Sequence, residues 1–381
     1  MDFSLSEEQQ ALRDHVIRFA HRRLNKGVSE RDQAQVFPHD LWLECGKMQF
    51  QGLPVPESYG GAGYDPLTTA ILLDALGYAC HDGGLVFSIC AHLLAGVIPI
   101  WKHGSEEQKQ RYLPRLCNGT WIAVNAMSEP GSGSDAFSMS SKAERDGDGF
   151  RINGTKTFSS NGPVADLAIM FATTGSDTGH RSITAFLVEK GTPGFRVGQK
   201  FEKMGLRTSP MSELVFDNVY VPQEAVLGGV GGGTAIFMHS MDWERTCLFA
   251  SQLGVMERLL EKSIDYARTR TQSGQPIGKF QAVAHRIADM KVQLEAARLL
   301  TYKAASRLEK SRTVGLDAAI AKLFVSESLV KAALGTVQIF GGYGYMTEYE
   351  VERMLRDAVG STIYSGTSEI QRNMIARWLG L

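Results

Sequence analysis

The 381-residue sequence predicts an α+β protein built from three successive parts. These are an N-terminal helical domain over 1–119, a middle antiparallel β domain over 120–229, and a C-terminal four-helix bundle over 230–381. Apolar residues recur at helical spacing in the first and third parts. The middle part consists of short runs rich in β-branched and aromatic residues. This helix–β–helix order differs from the alternating pattern of a doubly wound sheet, so the sequence predicts three domains instead.

The first part opens with a helix start signal. Ser6 is followed three residues later by Gln9, as in a capping box, and apolar residues then recur at helical spacing. Similar stretches continue to about residue 118 around the turn-rich segment PVPESYGGAGYDP. The longest apolar stretch, 85–101, is short and is interrupted by polar residues and a proline. We therefore expect no membrane span there.

The middle part contains five candidate strand segments. They read TWIAVNAM, GFRINGTKTF, DLAIMFATT, SITAFLVEKG and SELVFDNVYVP, with turn residues between them. Their spacing of roughly ten residues favours a compact antiparallel β domain. The second segment contains Asn153-Gly154, a dipeptide typical of two-residue hairpin turns, so we expect a hairpin at that point.

The third part begins after the glycine-rich linker GGVGGGT, residues 228–234. Helical spacing then continues to the end of the chain, in segments near 235–270, 280–310, 315–338 and 367–379. Long antiparallel segments of this kind predict a helix bundle.

The composition is that of an ordinary globular protein, with 43% hydrophobic residues, 21% charged residues and a net charge of −1. The near-neutral balance argues against a nucleic-acid partner. The five cysteines are scattered, which predicts buried thiols in a reducing compartment. No zinc-like Cys/His spacing occurs, and the N-terminal segment lacks the basic start and apolar core of a signal peptide. We expect a cytoplasmic protein with no membrane association and no metal site.

Glycine is the one unusual residue, with 40 copies. No complete GxGxxG motif lies between a strand and a helix, and no GxxxxGK[ST] motif occurs, so the Rossmann and P-loop hypotheses lose support. Two glycine-bearing segments remain. They are MSEPGSGSD at 127–135, directly after a predicted strand, and QIFGGYGY at 338–345. The first would present backbone N–H groups and small hydroxyls to a planar ligand, and the second would let a helix end approach a ligand closely.

Together with the opening FSLSEEQQALRD and the segment SGTSEIQR at 365–372, these motifs resemble the acyl-CoA dehydrogenase family. The resemblance covers essentially the whole chain. It implies FAD bound between the β domain and the bundle, and a homotetramer built as a dimer of dimers. It also implies flavin contacts for the first motif and the following strand: Met127, Ser128, Ser134, Phe158 and Ser160.

The resemblance implies further cofactor contacts in the third part. Arg270 matches the arginine on the FAD pyrophosphate, where a guanidinium suits a bidentate anionic target. Gln338 and Gly342 match residues that a neighbouring subunit contributes, and Thr367 and Glu369 match residues that close the site.

One position departs from the family pattern. Many members have an aromatic residue three positions after the arginine, where this chain has Ser273. We expect FAD to be held less tightly there, or to be supported by Gln272 or Phe280.

The family removes an α-proton from an acyl thioester while a hydride leaves the β-carbon for flavin N5. Because that proton is weakly acidic, the base must be a carboxylate whose pKa is raised toward neutrality. Most members carry it in a Tyr-Glu-Gly-Thr motif, which here reads Tyr364-Ser365-Gly366-Thr367. A serine needs a partner to act as a base, and none is apparent next to it in the sequence.

Helical spacing identifies a replacement for the missing base. Glu244 falls on the apolar stripe that also contains Phe237, Met241 and Leu248, and no residue one turn away can pair with it. An inward glutamate without a local cation requires a task or a distant partner. A structural ion pair with an arginine of a neighbouring helix is the alternative.

The resemblance supports the same residue. A branch similar to isovaleryl-CoA dehydrogenase places its base in an Asp-x-Glu-Arg context, which here is Asp242–Arg245. Ser365 is then expected to give its backbone N–H to the thioester carbonyl. Glu350 and Glu352 are expected to be solvated. The predicted substrate contacts are Ser134, Asp242, Arg245 and Tyr364.

Three functional hypotheses follow. The sequence is most similar in appearance to prolyl-carrier-protein oxidases of natural-product assembly lines, which oxidise an L-prolyl thioester on a peptidyl carrier protein. The second hypothesis is a short branched-chain acyl-CoA dehydrogenase that uses an electron-transfer flavoprotein. The third is a catalytically degenerate binding subunit, suggested by the missing Tyr-Glu-Gly-Thr glutamate. Glu244 argues against the third.

Overall fold

Helices occupy both ends of the chain and a sheet occupies its middle, in a computed structural model that describes residues 4–175, 182–308, 310–311 and 314–381. The predicted helix–β–helix order is confirmed. The capping box at Ser6 is present, because its hydroxyl accepts from the Gln9 backbone N–H at 3.1 Å. The first helices are α1 (Glu7–Arg23), α2 (Val28–Ala34), α3 (His39–Lys47), α4 (Pro66–Ala79), α5 (Gly83–His92), α6 (Ile98–His103) and α7 (Glu106–Cys117).

The apolar stretch from α5 to α6 forms one continuous helical segment with a π-helical turn, Leu93–Val97, at its centre. By length and composition, Gly83–His103 and Val314–Tyr345 could each cross a membrane, and 89% and 44% of their most apolar windows are buried inside the protein. The first of these segments therefore packs mostly inside the protein. All five cysteines are buried and free, which also agrees with the prediction.

The middle of the chain forms one sheet with the strand order β6-β7-β3-β2-β4-β5-β8, and β1 lies beside β4. Most pairs are antiparallel, as expected, but β4 pairs in parallel with both β1 and β2. The strand β4 is buried on both faces, which explains why its sequence is a continuous apolar run. The strands are β1 (Ala123–Ala126), β2 (Lys142–Asp146), β3 (Gly149–Ser160), β4 (Leu167–Thr174), β5 (Ile183–Glu189), β6 (Phe195–Lys200), β7 (Met211–Pro222) and β8 (Val226–Leu227).

The prediction of a hairpin at Asn153-Gly154 is wrong. The strand β3 runs straight through this dipeptide, and the chain reverses earlier, between β2 and β3, where Gly147 has a φ of 59°. Gly154 is extended and serves close packing instead, since a Cβ there would lie 2.1 Å from the Ser141 hydroxyl oxygen. A local turn signal was thus overridden by tertiary contact.

The C-terminal part forms the predicted bundle. The helices α9, α10 and α11 pack on one another, and α13 packs on α11. Of the segment predicted over 280–310, the helix ends at Arg307, and residue 309 lies outside the described residues. The elements are α8 (Gly233–Trp243), α9 (Phe249–Thr269), the hairpin strands β9 (Thr271–Gln272) and β10 (Gln275–Pro276), α10 (Gln281–Arg307), α11 (Val314–Phe340), α12 (Val351–Gly360) and α13 (Ser368–Trp378).

Close packing of α4 against α9 joins the first and third parts. A Cβ on Gly77 would lie 1.8 Å from the Ser251 carbonyl oxygen, and one on Gly254 would lie 2.1 Å from the Asp74 carbonyl oxygen. Only glycine permits this backbone approach. The contact fixes the start of α9 against the first domain, and the candidate base lies just before that point. The domain boundaries at 119/120 and 229/230 stay predictions.

Candidate active site

Glu244 is the first residue of a π-helical turn, Glu244–Leu248, that joins α8 to α9. The spacing of apolar residues near 235–270 predicts a helical segment without interruption, and the π turn departs from that prediction. A π turn inserts one extra residue, which changes the side-chain directions and is frequent at functional sites. Within this turn Arg245 is only 5% exposed, whereas Glu244 is half-buried.

The Ser365 hydroxyl donates a short hydrogen bond to Oε1 of Glu244. Ser365 has a φ of 58°, a left-handed conformation that is unfavourable for a residue with a side chain. Its carbonyl accepts from Arg245 Nε at 3.0 Å and from Gln371 Nε2 at 3.2 Å, which hold the backbone in that conformation. The serine that stands in place of the usual glutamate thus bonds directly to the predicted base.

The environment of Glu244 favours its protonated form more than water does. Burial raises the pKa of Glu244, while the Ser365 hydroxyl, Arg245 and Lys322 act in the opposite direction. A carboxylate with a raised pKa is a stronger base at neutral pH, as abstraction of a weakly acidic proton requires. The predicted base therefore has a suitable environment.

The predicted substrate contacts divide into two groups. Three of them, Asp242, Arg245 and Tyr364, are within three residues of Glu244 or next to Ser365, and burial raises the pKa of Asp242 while Arg245 opposes the shift. The Tyr364 ring packs in an aromatic wall with Phe87 at 4.8 Å and Phe249 at 5.6 Å. The fourth, Ser134, is exposed in the loop after β1.

The loop after β1 is fixed by a buried ion pair. The Glu129 carboxylate accepts from Lys156 Nζ at 2.8 Å, from the Ser140 backbone N–H and hydroxyl at 2.6 Å each, and from the Ser141 backbone N–H at 3.0 Å. Burial opposes ionisation here, but these hydrogen bonds outweigh it and lower the pKa of Glu129 to about 2. The carboxylate therefore stays ionised and the loop stays attached to β3.

The same lysine aligns the predicted flavin contacts. Lys156 Nζ also donates to the Met127 carbonyl at 3.1 Å, and the Thr157 backbone N–H donates to the Ser128 carbonyl at 2.8 Å. Met127 is buried and Ser128 half-buried, so the main chain of both residues is held against β3.

A bulge in β3 presents an aromatic ring to the outside. The pairing of β3 with β7 shifts register between Lys156 and Ser159, and Phe158 within the bulge has a φ of 52°. Its ring is 64% exposed and lies 5.4 Å from the Phe201 ring. Ser160 follows and is half-buried. Bulges of this kind re-aim side chains next to active sites.

A second surface region contains Arg270, the residue predicted to bind the FAD pyrophosphate, together with Gln338 and Gly342. The exposed Arg270 guanidinium lies 5.5 Å from the centre of the Tyr343 ring, and Gln338 and Gly342 are exposed near the same end of α11. Among the described residues, no hydrogen bond, ion pair or ring contact joins this region to Phe158. Ser273, at a φ of 49°, lies in the turn between β9 and β10.

Two predicted residues lie at the start of α13. The Thr367 hydroxyl caps the helix by accepting from the Ile370 backbone N–H at 3.3 Å. Glu369 is exposed and lies 4.0 Å from Arg372. Both lie within four residues after Ser365, and Gln371 of α13 donates to the Ser365 carbonyl, so α13 holds the serine that bonds Glu244.

Comparison with known proteins identifies the family. Models of the acyl-CoA dehydrogenase N-terminal, middle and C-terminal domains match residues 6–120, 125–219 and 231–380. The chain belongs to the acyl-CoA dehydrogenase family. Its fold class, predicted from the sequence, is thereby confirmed.

Relatives and solved structures are similar over the whole chain. An L-prolyl-[peptidyl-carrier protein] dehydrogenase from a Serratia species is 41% identical, over 100% of this chain and 99% of that protein. The crystal structure of the prolyl acyl carrier protein oxidase AnaB superposes with a TM-score of 0.96 at 45% identity, over 99% of this chain and 100% of that one. The structure of PigA with FAD and proline superposes at 0.98 and 41% identity, with complete coverage of both chains.

The residues present fit the FAD of the acyl-CoA dehydrogenase family. Phe158 offers an exposed ring on a backbone that is held in an unusual conformation. Side chains at Gly131 and Gly133 would meet no atom within 4 Å, so the loop beside Phe158 borders open space. Small hydroxyls at Ser134 and Ser160 are available for hydrogen bonding. This combination of an apolar face and polar groups suits a flavin ring.

Several residues around the candidate site were not predicted from the sequence. Lys156, Gln371 and Lys322 were not named, and the Ser365 hydroxyl was not recognised as the partner of Glu244. The expectation that Glu350 and Glu352 are solvated is wrong. Glu350 forms ion pairs with Lys262 and Arg353 and also contacts His81 Nδ1, and Glu352 forms an ion pair with Arg356 at 2.7 Å. Most of these partners are distant in sequence, which local spacing does not reveal.

Proposed function

We propose that this acyl-CoA dehydrogenase family member uses FAD to oxidise an acyl thioester, and that its substrate is an L-prolyl group on a peptidyl carrier protein. The observation that carries the proposal is the Glu244–Ser365 pair, which supplies a base where the usual Tyr-Glu-Gly-Thr glutamate is absent. The names of the relatives, with FAD and proline bound to PigA, support the cofactor and the prolyl group.

Glu244 accepts the α-proton of the thioester in this proposal. The Ser365 hydroxyl occupies Oε1 and leaves Oε2 free to take the proton. The aromatic wall of Tyr364, Phe87 and Phe249 limits the access of water, which keeps the carboxylate weakly solvated and reactive. When bound, FAD accepts the hydride that leaves the neighbouring atom of the substrate.

Two unused donors lie beside the base. The Ser365 backbone N–H has no acceptor among the described residues, and Arg245 Nη1 is buried without one. A buried donor without a partner is unfavourable in the free protein and favours a bound acceptor. We assign the Ser365 N–H to the thioester carbonyl, and Arg245, with Asp242 and Tyr364, to the rest of the substrate.

The cofactor contacts follow from the two surface regions. Met127, Ser128, Ser134, Phe158 and Ser160 bind the flavin ring of one protomer. Arg270 binds the pyrophosphate, while Gln338 and Gly342 reach the cofactor of a neighbouring subunit, with Thr367 and Glu369 closing the site. Among the residues that the structure describes, Phe158 and the Arg270 region make no contact within one chain, which supports this division.

The assembly that satisfies this division is a homotetramer arranged as a dimer of dimers. Val292 and Leu299, seven residues apart on α10, are 69% and 49% exposed, and Leu334 on α11 is 57% exposed. Apolar side chains so exposed on helices favour burial against another subunit. The five free thiols favour a reducing location, which we propose is the cytoplasm. Light scattering of the purified protein tests the assembly, and a monomer would contradict it.

An anaerobic reduction experiment tests the function. The FAD-loaded protein is mixed with prolyl-carrier protein, with isovaleryl-CoA, with butyryl-CoA, or with free L-proline as the control. We expect the flavin to bleach rapidly with prolyl-carrier protein and not with any of the other three compounds. The Glu244→Gln variant with the same substrate separates enzymatic from adventitious reduction.

The other outcomes distinguish the competing hypotheses. Bleaching by isovaleryl-CoA alone would favour a branched-chain acyl-CoA dehydrogenase, which the Asp242–Arg245 context also fits. Bleaching by none of the substrates would favour a binding subunit without catalytic activity. Either result would overturn the proposed substrate.

A further inference from the structure

Lys322 is a lysine in the middle of α11 whose side chain is completely buried. Its Nζ has no hydrogen-bond partner among the described residues, and it lies 5.3 Å from the centre of the Phe249 ring. One turn away on either side are Ala318, Ala319, Val325 and Ser326, none of which carries a charge. A buried ammonium without an acceptor is strongly unfavourable unless the charge itself has a use.

The position of Lys322 relates it to the base. The Phe249 ring that it contacts also packs on Tyr364 at 5.6 Å, and Tyr364 precedes the serine that bonds Glu244. The helix α11 packs directly against the π turn that begins at Glu244. Lys322 therefore lies on a helix that packs against the turn of Glu244, while Ser365 bonds Glu244 from a different segment.

Few charged groups compete for this ammonium. Those that act on it are Arg245, Glu327, Glu369 and Glu244. Glu327 is engaged by Arg372 at 2.6 Å, and Glu369 is exposed to solvent, which screens its charge. Arg245 is a like charge. Glu244, half-buried at the start of the π turn, is the remaining anion.

We propose that Lys322 is an electrostatic positioning residue, whose buried positive charge holds Glu244 in its ionised form without touching substrate or cofactor. The inference rests on the proposed role of Glu244 as the base. It adds a third support to those from the Ser365 hydroxyl and from Arg245. The site then combines a weakly solvated carboxylate with enough positive charge to keep it ready to accept a proton.

The charge of Lys322 depends on pH. Burial, reinforced by Arg245, lowers the pKa of Lys322 to about 8. At neutral pH the ammonium is mostly charged, and above pH 8 it is neutral. Loss of this cation raises the pKa of the Glu244 carboxyl further, because a nearby positive charge stabilises the ionised form. The pH dependence of the site should therefore contain the titration of both residues.

The direct test measures the protonation of Glu244 without any substrate. In the FAD-loaded protein, infrared difference spectra over a pH series follow the carboxyl band that disappears in Glu244→Gln. The variants are Lys322→Met, Lys322→Gln and Lys322→Arg, with Lys331→Met, an exposed lysine on the same helix, as the matched control. We expect the Glu244 midpoint to move to higher pH in the Met and Gln variants, since removal of a cation raises the pKa of a neighbouring carboxyl.

The arginine variant covers the case in which the neutral variants do not fold. Because arginine keeps its charge at high pH, Lys322→Arg should retain the Glu244 midpoint and lose the second change near pH 8 that the carboxylate band shows in the parent protein. Below the midpoint, flavin reduction by the neutral variants should fall about threefold to tenfold, with less effect at high pH.

Unchanged Glu244 midpoints in the neutral variants would overturn the proposal, as would a second change near pH 8 that persists in Lys322→Arg. A uniform loss of rate at all pH values with an unmoved midpoint would assign Lys322 a packing role, which also overturns it. Because the infrared titration needs no substrate, a failure of prolyl-carrier protein to reduce the flavin would leave this result intact and would be counted against the proposed function alone.

Discussion

Two glutamates near buried lysines have opposite environments in this molecule. In the β domain, Glu129 accepts four hydrogen bonds, including one from Lys156, and its pKa is lowered to about 2. At the junction of α8 and α9, Glu244 accepts one from Ser365, its pKa is raised by burial, and Lys322 stays unbonded. The first pair is saturated with partners, and the second is not.

The difference shows that burial alone does not decide the charge state of a carboxylate; its hydrogen-bond partners do. Both regions remove a carboxylate and an ammonium from water, and the free energy of that transfer must be offset by local partners. A saturated network locks one charge state and one geometry, which suits a loop that must hold still beside a flavin. An incomplete network leaves the charge state near balance, which suits a group that must gain and lose a proton in every turnover.

The largest expected effect comes from breaking the saturated pair. Lys156→Met leaves the ionised Glu129 buried without its cation, and loss of one partner of a buried pair destabilises proteins by about 3–5 kcal/mol. Urea denaturation measures the free energy of unfolding, and an FAD titration follows the loosening of the loop at Met127 and Ser128. Lys142→Met, an exposed lysine on β2, is the control. Stability equal to that of the control would contradict the locked pair.

The second largest effect is expected from replacing Glu244, the proposed proton acceptor. Glu244→Gln should keep the yellow FAD spectrum and the fold but lose about 10²-fold or more in the rate of flavin reduction, as expected for a positioned base. Glu261→Gln, an exposed position on α9, makes the same chemical change away from the site. Stopped-flow absorbance measures both rates. Unchanged turnover in Glu244→Gln would end the assignment of the base.

The contrast also separates what the sequence could predict from what it could not. Helical spacing was enough to find Glu244, because its neighbours along one helix are apolar. The same test applied to α11 would have found Lys322, which lies between Ala318, Ala319 and Val325. The Ser365 partner was out of reach, since it is 121 positions from Glu244 and depends on a left-handed backbone. The π turn at Glu244 likewise leaves no mark in the spacing of apolar residues.

The fold shows the same limit. The helix–β–helix order follows from periodicity, and it was predicted correctly. The hairpin at Asn153-Gly154 was not, because the close packing of Ser141 on Gly154 is a contact between separate strand regions. The parallel pairing of β4 with β1 also depends on chain paths that local patterns do not encode. Local signals predicted the elements, and long-range contacts decided how they join.

A smaller effect sharpens the role of the incomplete network. Ser365→Ala removes the hydroxyl that stabilises ionised Glu244, so the midpoint of its titration should move to higher pH and the rate at lower pH should fall about tenfold. Ser365→Gly removes the same hydroxyl but relieves the backbone at a φ of 58°. If the two variants share the shift in the pH profile, the hydroxyl is responsible. A loss confined to Ser365→Ala would indicate backbone strain instead.

The smallest effect between pH 7 and pH 5 concerns the pH dependence of stability. We expect none for Glu129 in that range, and this separates it from Glu244. The pKa of Glu129 is lowered on folding from an ordinary 4.5 to about 2. A depressed pKa means that its contribution to stability is fully present above pH 4.5 and is lost as pH falls through 2. The difference in unfolding free energy between the parent and Glu129→Gln, measured with urea, should therefore be constant from pH 7 to pH 5 and shrink only below 4.5.

The raised pKa of Glu244 has the opposite sign. In the comparison with Glu244→Gln, the ionised carboxylate should therefore disfavour the folded state more as pH rises. Parallel pH profiles for the two variants would show that the two networks do not differ as their hydrogen bonds indicate.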